Sequence, residues 1–89
     1  MNSVVTTGFR ERLGRLPASV RQQAYRAYAS WRADPSHPSL QFKRVNQRQA
    51  IYSARVGLGH RAPGLWEGDT VIWFWIGSHA EYDTLPARP

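Results

Sequence analysis

No cysteine occurs among the 89 residues, which excludes disulfides and thiolate zinc sites and fits a reducing cytosol. Long apolar runs are missing as well. No window approaches the ~18 residues needed to cross a bilayer, and residues 1–9 lack the apolar stretch a secretory signal requires. There is no Gly-rich phosphate loop and no nucleophile elbow. His37, His60 and His79 have no ligand-like spacing, so neither a metal site nor a cofactor is expected. Repeats, low-complexity blocks and linkers are absent. The expectation is one soluble, cytoplasmic domain over residues 1–89, with 1–4 and 86–89 flexible and no membrane association.

What the chain does carry is arginine and aromatic bulk. Eleven of its twelve cations are Arg, and with six acids the formal charge is +6. The charge is uneven: residues 1–61 hold eleven cations against Glu11 and Asp34, a net of +9, while 62–89 hold Arg88 against four acids, a net of −3. Arginine grips phosphate with a planar two-pronged fork and stacks on bases, so a polyanionic partner is expected, either nucleic acid or an acidic protein. Arg-rich helix exteriors are the alternative. Four Trp, four Tyr and three Phe give a short chain a bulky core.

Periodicity places the elements. Val4 and Val5 suit a short leading strand. Phe9, Leu13 and Leu16 recur on one helical face until Pro17, because the residue before a proline avoids the α region. Val20, Ala24, Ala27, Tyr28 and Trp31 form a second helical stripe, stopped by Asp34-Pro35-Ser36-His37-Pro38. Strands are predicted over 40–45, Ile51 to Val56, 60–65 and 71–76, with turns at 46–49, 57–59 and 67–69. The fold class is α+β: a two-layer arrangement with an N-terminal helical hairpin packed on a mainly antiparallel four-stranded sheet.

Candidate chemistry sits where the last strand ends, at His79, Glu81, Tyr82 and Asp83. Strand alternation puts Lys43, Arg55 and Arg61 where they can converge with that cluster on the open sheet face, with Arg44 and Arg48 nearby as further nucleic-acid contacts. Metal-free RNA cleavage needs a base for the 2′-hydroxyl, an acid for the 5′-oxygen and cations for the phosphorane. His79 can be acid or base near neutral pH. Glu81 is a candidate base, Tyr82 a proton donor or stacking platform, and Arg61 and Arg55 are phosphate clamps. Duller roles stand beside these: His79 as a strand-end cap, Arg61 paired with Glu67 or Asp69, Glu81 and Asp83 solvated or ion-paired, and His37 as a turn residue.

Taken in order, several pieces resemble the RelE/ParE superfamily of bacterial type II toxin–antitoxin toxins. They are Phe9…Leu13…Leu16-Pro17, His37-Pro38-Ser39-Leu40 with Phe42-Lys43, and Tyr52-Ser53-Ala54-Arg55-Val56-Gly57. His60-Arg61-Ala62, Trp73-Phe74-Trp75-Ile76-Gly77 and His79-Ala80-Glu81-Tyr82-Asp83 complete the set. The resemblance implies a small basic toxin neutralised by a cognate antitoxin. RelE-like members cleave mRNA, often on the ribosome, and ParE-like members poison DNA gyrase. It also implies that Arg61, His79 and Tyr82 stand at catalytic positions and Arg55 at a basic position before the Val-Gly turn. RelE-like nucleases commonly carry lysines on the middle strand, where this chain has Tyr52, Ser53 and Ala54. A non-toxic relative is therefore a third reading.

Overall fold

A computed structural model describes residues 1–85. The elements run β1 (Asn2–Val5), α1 (Thr7–Arg15), α2 (Ala18–Ala33), a 3₁₀ turn (Pro38–Leu40), β2 (Lys43–Arg44), β3 (Ile51–Val56), β4 (His60–Glu67), β5 (Thr70–Trp73), β6 (Gly77–Ser78) and α3 (His79–Asp83). The sheet order is β1-β5-β4-β3-β2, with β6 beside the start of β4. The α+β class and the sheet's mainly antiparallel character are as expected. The details differ: six strands rather than four, one parallel pair, and a third helix.

The two helices start and stop for local reasons. Thr6 caps α1 by accepting the Phe9 N–H at 3.1 Å, a contact worth about 1 kcal/mol. Leu16, ahead of Pro17, leaves the helical region with ψ 152°, and Pro17 then opens α2. Asp34 ends α2 and folds the chain back by accepting both the Ser36 N–H and its hydroxyl. His37 caps the 3₁₀ turn through Nδ1, the turn role expected of it.

Trp31 of α2 is buried against the sheet, where it meets Trp73 edge-on at 5.3 Å. Around this pair lie Leu40, Ala54, Val56, Ala62, Val71 and Ile76. α2 is further tied to β1 by the Ser3–Tyr28 hydroxyl pair, which lowers the Tyr28 pKa, with Arg32 adding to the effect. By contrast α1 buries no residue completely. Phe9 and Leu13 only half-cover the core, so the helical hairpin stands partly open above the sheet.

Three expectations are corrected. Residues 2–4, expected to be flexible, form β1, which lies parallel to β5 from Asn2 opposite Thr70 to Val5 opposite Trp73; residues 86–89 lie outside the described residues. The strand predicted over 40–45 shrinks to Lys43–Arg44. Pro38 has no N–H for a ladder, the chain coils into a 3₁₀ turn there, and Gln41 adopts a left-handed conformation at φ 43°.

The strand predicted over 71–76 stops at Trp73. Its partner β4 carries Pro63 just past the Gly64–Trp73 pair, and a proline cannot donate to the ladder. Only the Phe74 N–H to Pro63 carbonyl bond remains, at 3.3 Å. The chain jogs through 74–76 and re-pairs as β6, with Gly77 opposite Arg61 and Ser78 opposite His60.

Candidate functional site

β3 and β4 place Arg55 directly opposite Arg61, and β2 sets Lys43 opposite Ser53. By alternation these side chains share the face turned away from α2. That face is not uniformly cationic. Val4, Ile72, Leu65 and Ile51 form one cross-strand row on it, and the cations hold the other end.

Arg61 is only 4% exposed and Ser53 is fully buried. The Arg61 Nε–H donates to the Ser53 hydroxyl at 2.8 Å, and Nη2 donates to the Ser53 and Gln41 carbonyls, both at 3.1 Å. The left-handed turn at Gln41 is what leaves that carbonyl free to accept. Burial lowers the Arg61 pKa first of all; Tyr82 opposes the shift and the Arg55 charge adds to it. Arginine nonetheless stays protonated under any physiological condition. Neither Glu67 nor Asp69 pairs with it; its partners lie on the other side, on β3 and Gln41.

α3 brings the C-terminal cluster to this guanidinium. Ser78 and Glu81 form a reciprocal capping box, and the His79 N–H bonds the Gly59 carbonyl at 2.8 Å. The helix is thereby pinned to the β3–β4 turn. Tyr82 lies over Arg61, ring centroid to guanidinium carbon 5.9 Å. His79 is exposed and stands three residues before Tyr82, a spacing that puts both on one helix face. Tyr82 therefore stands by Arg61 at one end of the sheet, with the His79 backbone held at the β3–β4 turn there.

Glu81 is otherwise occupied. Oε1 accepts from the Ser78 N–H and hydroxyl, and Oε2 accepts from Arg12 at 3.4 Å. The Ser78 backbone bond leads in holding its carboxyl below the usual range, with the Ser78 hydroxyl and then Arg12 adding to it. Arg44 turns onto the Asn46 and Gln47 carbonyls. Arg48 sits in the 46–49 turn, at the far end of β3 from Arg55; four residues of strand put them roughly 13 Å apart. Lys43 is exposed beside Ser53, within the cationic end.

Two participants carry no local sequence signal. Ser53 becomes visible only once the strand register is known. Arg12 reaches from α1 to the C-terminal segment: its guanidinium lies 4.4 Å from the Trp75 ring and its Nε donates to the Ile76 carbonyl at 2.7 Å. Trp75 in turn packs near Tyr82 at 6.3 Å. The open hairpin leaves a second feature on the opposite face, an apolar groove of about 230 Å³ floored by Trp31 and Trp73 and rimmed by Phe9, Leu13, Tyr25 and Tyr28.

Residues 18–84 match the family described as the ParE-like toxin domain. Among solved structures, the chain is similar to one from a RelB–RelE antitoxin–toxin complex of Methanococcus jannaschii, at 21% identity and TM-score 0.73, covering 93% of this chain and 99% of that one. A copper-bound mutant toxin from Helicobacter pylori gives 16% identity and TM-score 0.62 over 91% and 97% of the two chains. A conserved hypothetical protein from Helicobacter pylori gives 16% and 0.63 over 90% and 96%. No curated protein matches the chain significantly in sequence.

Proposed function

We propose, for a chain that belongs to the ParE-like toxin family, that its toxicity comes from metal-independent cleavage of mRNA in the cytoplasm, free or on the ribosome. The observation that carries this reading is the Tyr82 ring over the Arg61 guanidinium, with His79 one helical turn earlier on the same face. In the reaction the RNA 2′-oxygen bonds to phosphorus as the bond from phosphorus to the 5′-oxygen breaks. One proton leaves the 2′-hydroxyl and one reaches the 5′-oxygen, giving a 2′,3′-cyclic phosphate and a 5′-hydroxyl. His79 handles a proton at one of these oxygens. Tyr82 orients the scissile nucleotide or donates to the leaving oxygen.

Arg61 supplies a fixed positive charge that costs no reorganisation when negative charge builds on the phosphorane. None of the three bonds it donates to Ser53 and Gln41 uses its Nη1. Lys43 and Arg55 hold flanking phosphates. Glu81 positions α3 rather than touching substrate. One observation favours a second reading, a toxin that binds DNA gyrase and cleaves nothing: Arg61 is buried and three of its donor contacts end on protein.

The cognate antitoxin fits the groove on the other face. That cavity of about 230 Å³ has only apolar walls and exceeds the ~150 Å³ that takes a benzene ring, so it accepts one or two large side chains of an amphipathic helix. α1 and α2 surround it with six arginines and one acid, Glu11, which selects an acidic helix and disfavours a second copy of this chain.

One induction experiment tests both halves. His79→Ala and Tyr82→Phe should relieve growth arrest, with stable protein present. Tyr25→Glu, at a groove residue 60% exposed, should stay toxic but escape neutralisation by the co-expressed antitoxin. Undiminished arrest by His79→Ala, or no arrest by the parent chain, overturns the nuclease reading. Full neutralisation of Tyr25→Glu overturns the groove assignment.

A further inference from the structure

Between β5 and β6 the chain holds one residue more than its partner strand. Trp73 lies opposite Gly64 and Gly77 opposite Arg61, so four steps on this side match three on β4. Trp73 and Ile76 are both buried, and both border the apolar groove beneath the helices. Residues an odd number apart on an unbroken strand would point to opposite faces. The extra residue is therefore a bulge, and it leaves Phe74 and Trp75 together on the other face, the one that carries Arg61.

Contacts agree with this placement. Gly77, the register partner of Arg61, would aim a Cβ at the Trp75 ring, and directly paired residues share a face. Trp75 also lies 6.3 Å from Tyr82, whose ring stands over Arg61. Phe74 continues the β4–β5 register opposite Pro63, whose carbonyl accepts its N–H. Pro63 is two residues from Arg61 along β4, roughly 7 Å, and Phe74 is 37% exposed. Lys43 and Arg55 stand on the same face. Glu67, the acid that β4 puts there, is six residues from Arg61, roughly 20 Å away.

We propose that Phe74, flanked by Trp75, is a stacking platform for one base of a single-stranded RNA, the base adjoining the phosphate at Arg61. A flat apolar ring offers every base a surface to stack on, whatever its hydrogen-bonding edge. The phosphates that accompany the base meet the cations on the same face. Base and phosphate recur together along one strand, as ring and guanidinium do here, a pairing that an acidic peptide does not repeat. The bulge serves both parts, since it sets Trp75 against Tyr82 and leaves Phe74 facing outward. That the strand is the toxin's own substrate rests on the ribonuclease reading; the stacking of a base does not.

The test is binding of a 2′-O-methyl hexanucleotide, which cannot be cleaved, to the full chain. Phe74→Ala should raise Kd roughly 5- to 150-fold, the range spanned by loss of one stacked base. The logarithmic salt slope should stay at the parent's value, because no phosphate contact disappears. Phe74→Leu, which keeps apolar cover over Pro63, should also bind more weakly at an unchanged thermal midpoint, and Phe74→Trp should bind at least as tightly as the parent. Parental affinity in Phe74→Ala and Phe74→Leu overturns the platform, as does a weaker Kd accompanied by a smaller salt slope, or a parent chain that does not bind the hexanucleotide. A Phe74→Leu chain that binds it like the parent yet has lost its toxicity makes this face a protein contact and overturns the platform too. If His79→Ala remains toxic while the Phe74 effects persist, the nuclease reading fails and the platform stands.

Discussion

Ser53→Ala isolates the contact on which the candidate site is built. Ser53 is fully buried and its hydroxyl is the sole acceptor for the Arg61 Nε–H, at 2.8 Å. The two Nη2 bonds end on backbone carbonyls and survive the substitution. What remains is a buried charged donor with no acceptor, which costs about 1.5–3 kcal/mol. For a domain of this length about 2 kcal/mol lowers Tm by roughly 8–16 °C. Denaturant unfolding of Ser53→Ala, Arg61→Met and the double variant gives a coupling energy. The Ser53→Ala penalty should shrink to a few tenths of a kcal/mol once Arg61→Met has removed the donor. A penalty below about 0.5 kcal/mol in the parent background, or an undiminished one beside Arg61→Met, would refute the idea that Ser53 holds the guanidinium.

Two further tests address how the C-terminal segment is held. At Gly77 an added Cβ would lie 2.5 Å from the Trp75 ring and 2.9 Å from the Arg12 Nη2, so Gly77→Ala should cost about 1–3 kcal/mol as these groups are forced apart; near-UV circular dichroism should register the displaced tryptophan, and an unaltered spectrum with parental stability would contradict the packing. Glu81 has a folded pKa below its unfolded value, so its contribution is complete above the ordinary carboxylate pKa of about 4.3 and is lost as pH falls through the depressed folded value. Glu81→Gln should therefore flatten the decline of unfolding free energy on the acid side, whereas parallel parent and variant curves would mean that the cap does not titrate with folding.

Elements defined by local signals were legible in the chain. α2 followed from its apolar stripe and the prolines after it, and Ile51–Val56 from the polar turn before it and the Gly57-Leu58-Gly59 link after it. The 67–69 turn was legible too, and Gly68 supplies the positive φ of 61° it requires. What escaped was set by contacts distant in sequence. Six apolar residues at 71–76 read as one strand, but Pro63 on the neighbouring strand decides where pairing ends. α3 was hidden because its five residues follow a strand and owe their start to the Ser78–Glu81 box, a pattern short enough to pass as a polar strand end.

The site was legible by residue type and strand parity, and illegible in how its charges are used. Parity aligned Arg55 with Ile51 and Ser53, and the strand register sets Lys43 and Arg61 on that same face, but neither says which cations the fold itself consumes. Arg61 spends its donors on Ser53 and Gln41, Arg44 on two loop carbonyls, and Arg12 on Ile76 and Glu81. Arg10, Arg15, Arg26, Lys43, Arg48 and Arg55 have no side-chain acceptor among the described residues. A count of +6 therefore overstates the charge available to a partner, because a guanidinium already bonded to carbonyls must break those bonds to grip a phosphate. The available cations are spread over α1, α2, β2, β3 and the 46–49 turn, and the register sets Lys43 and Arg55 on the face that carries Arg61. Anion binding at the Arg61 end of the sheet should accordingly depend on Lys43 and Arg55 more closely than on the total charge of the chain.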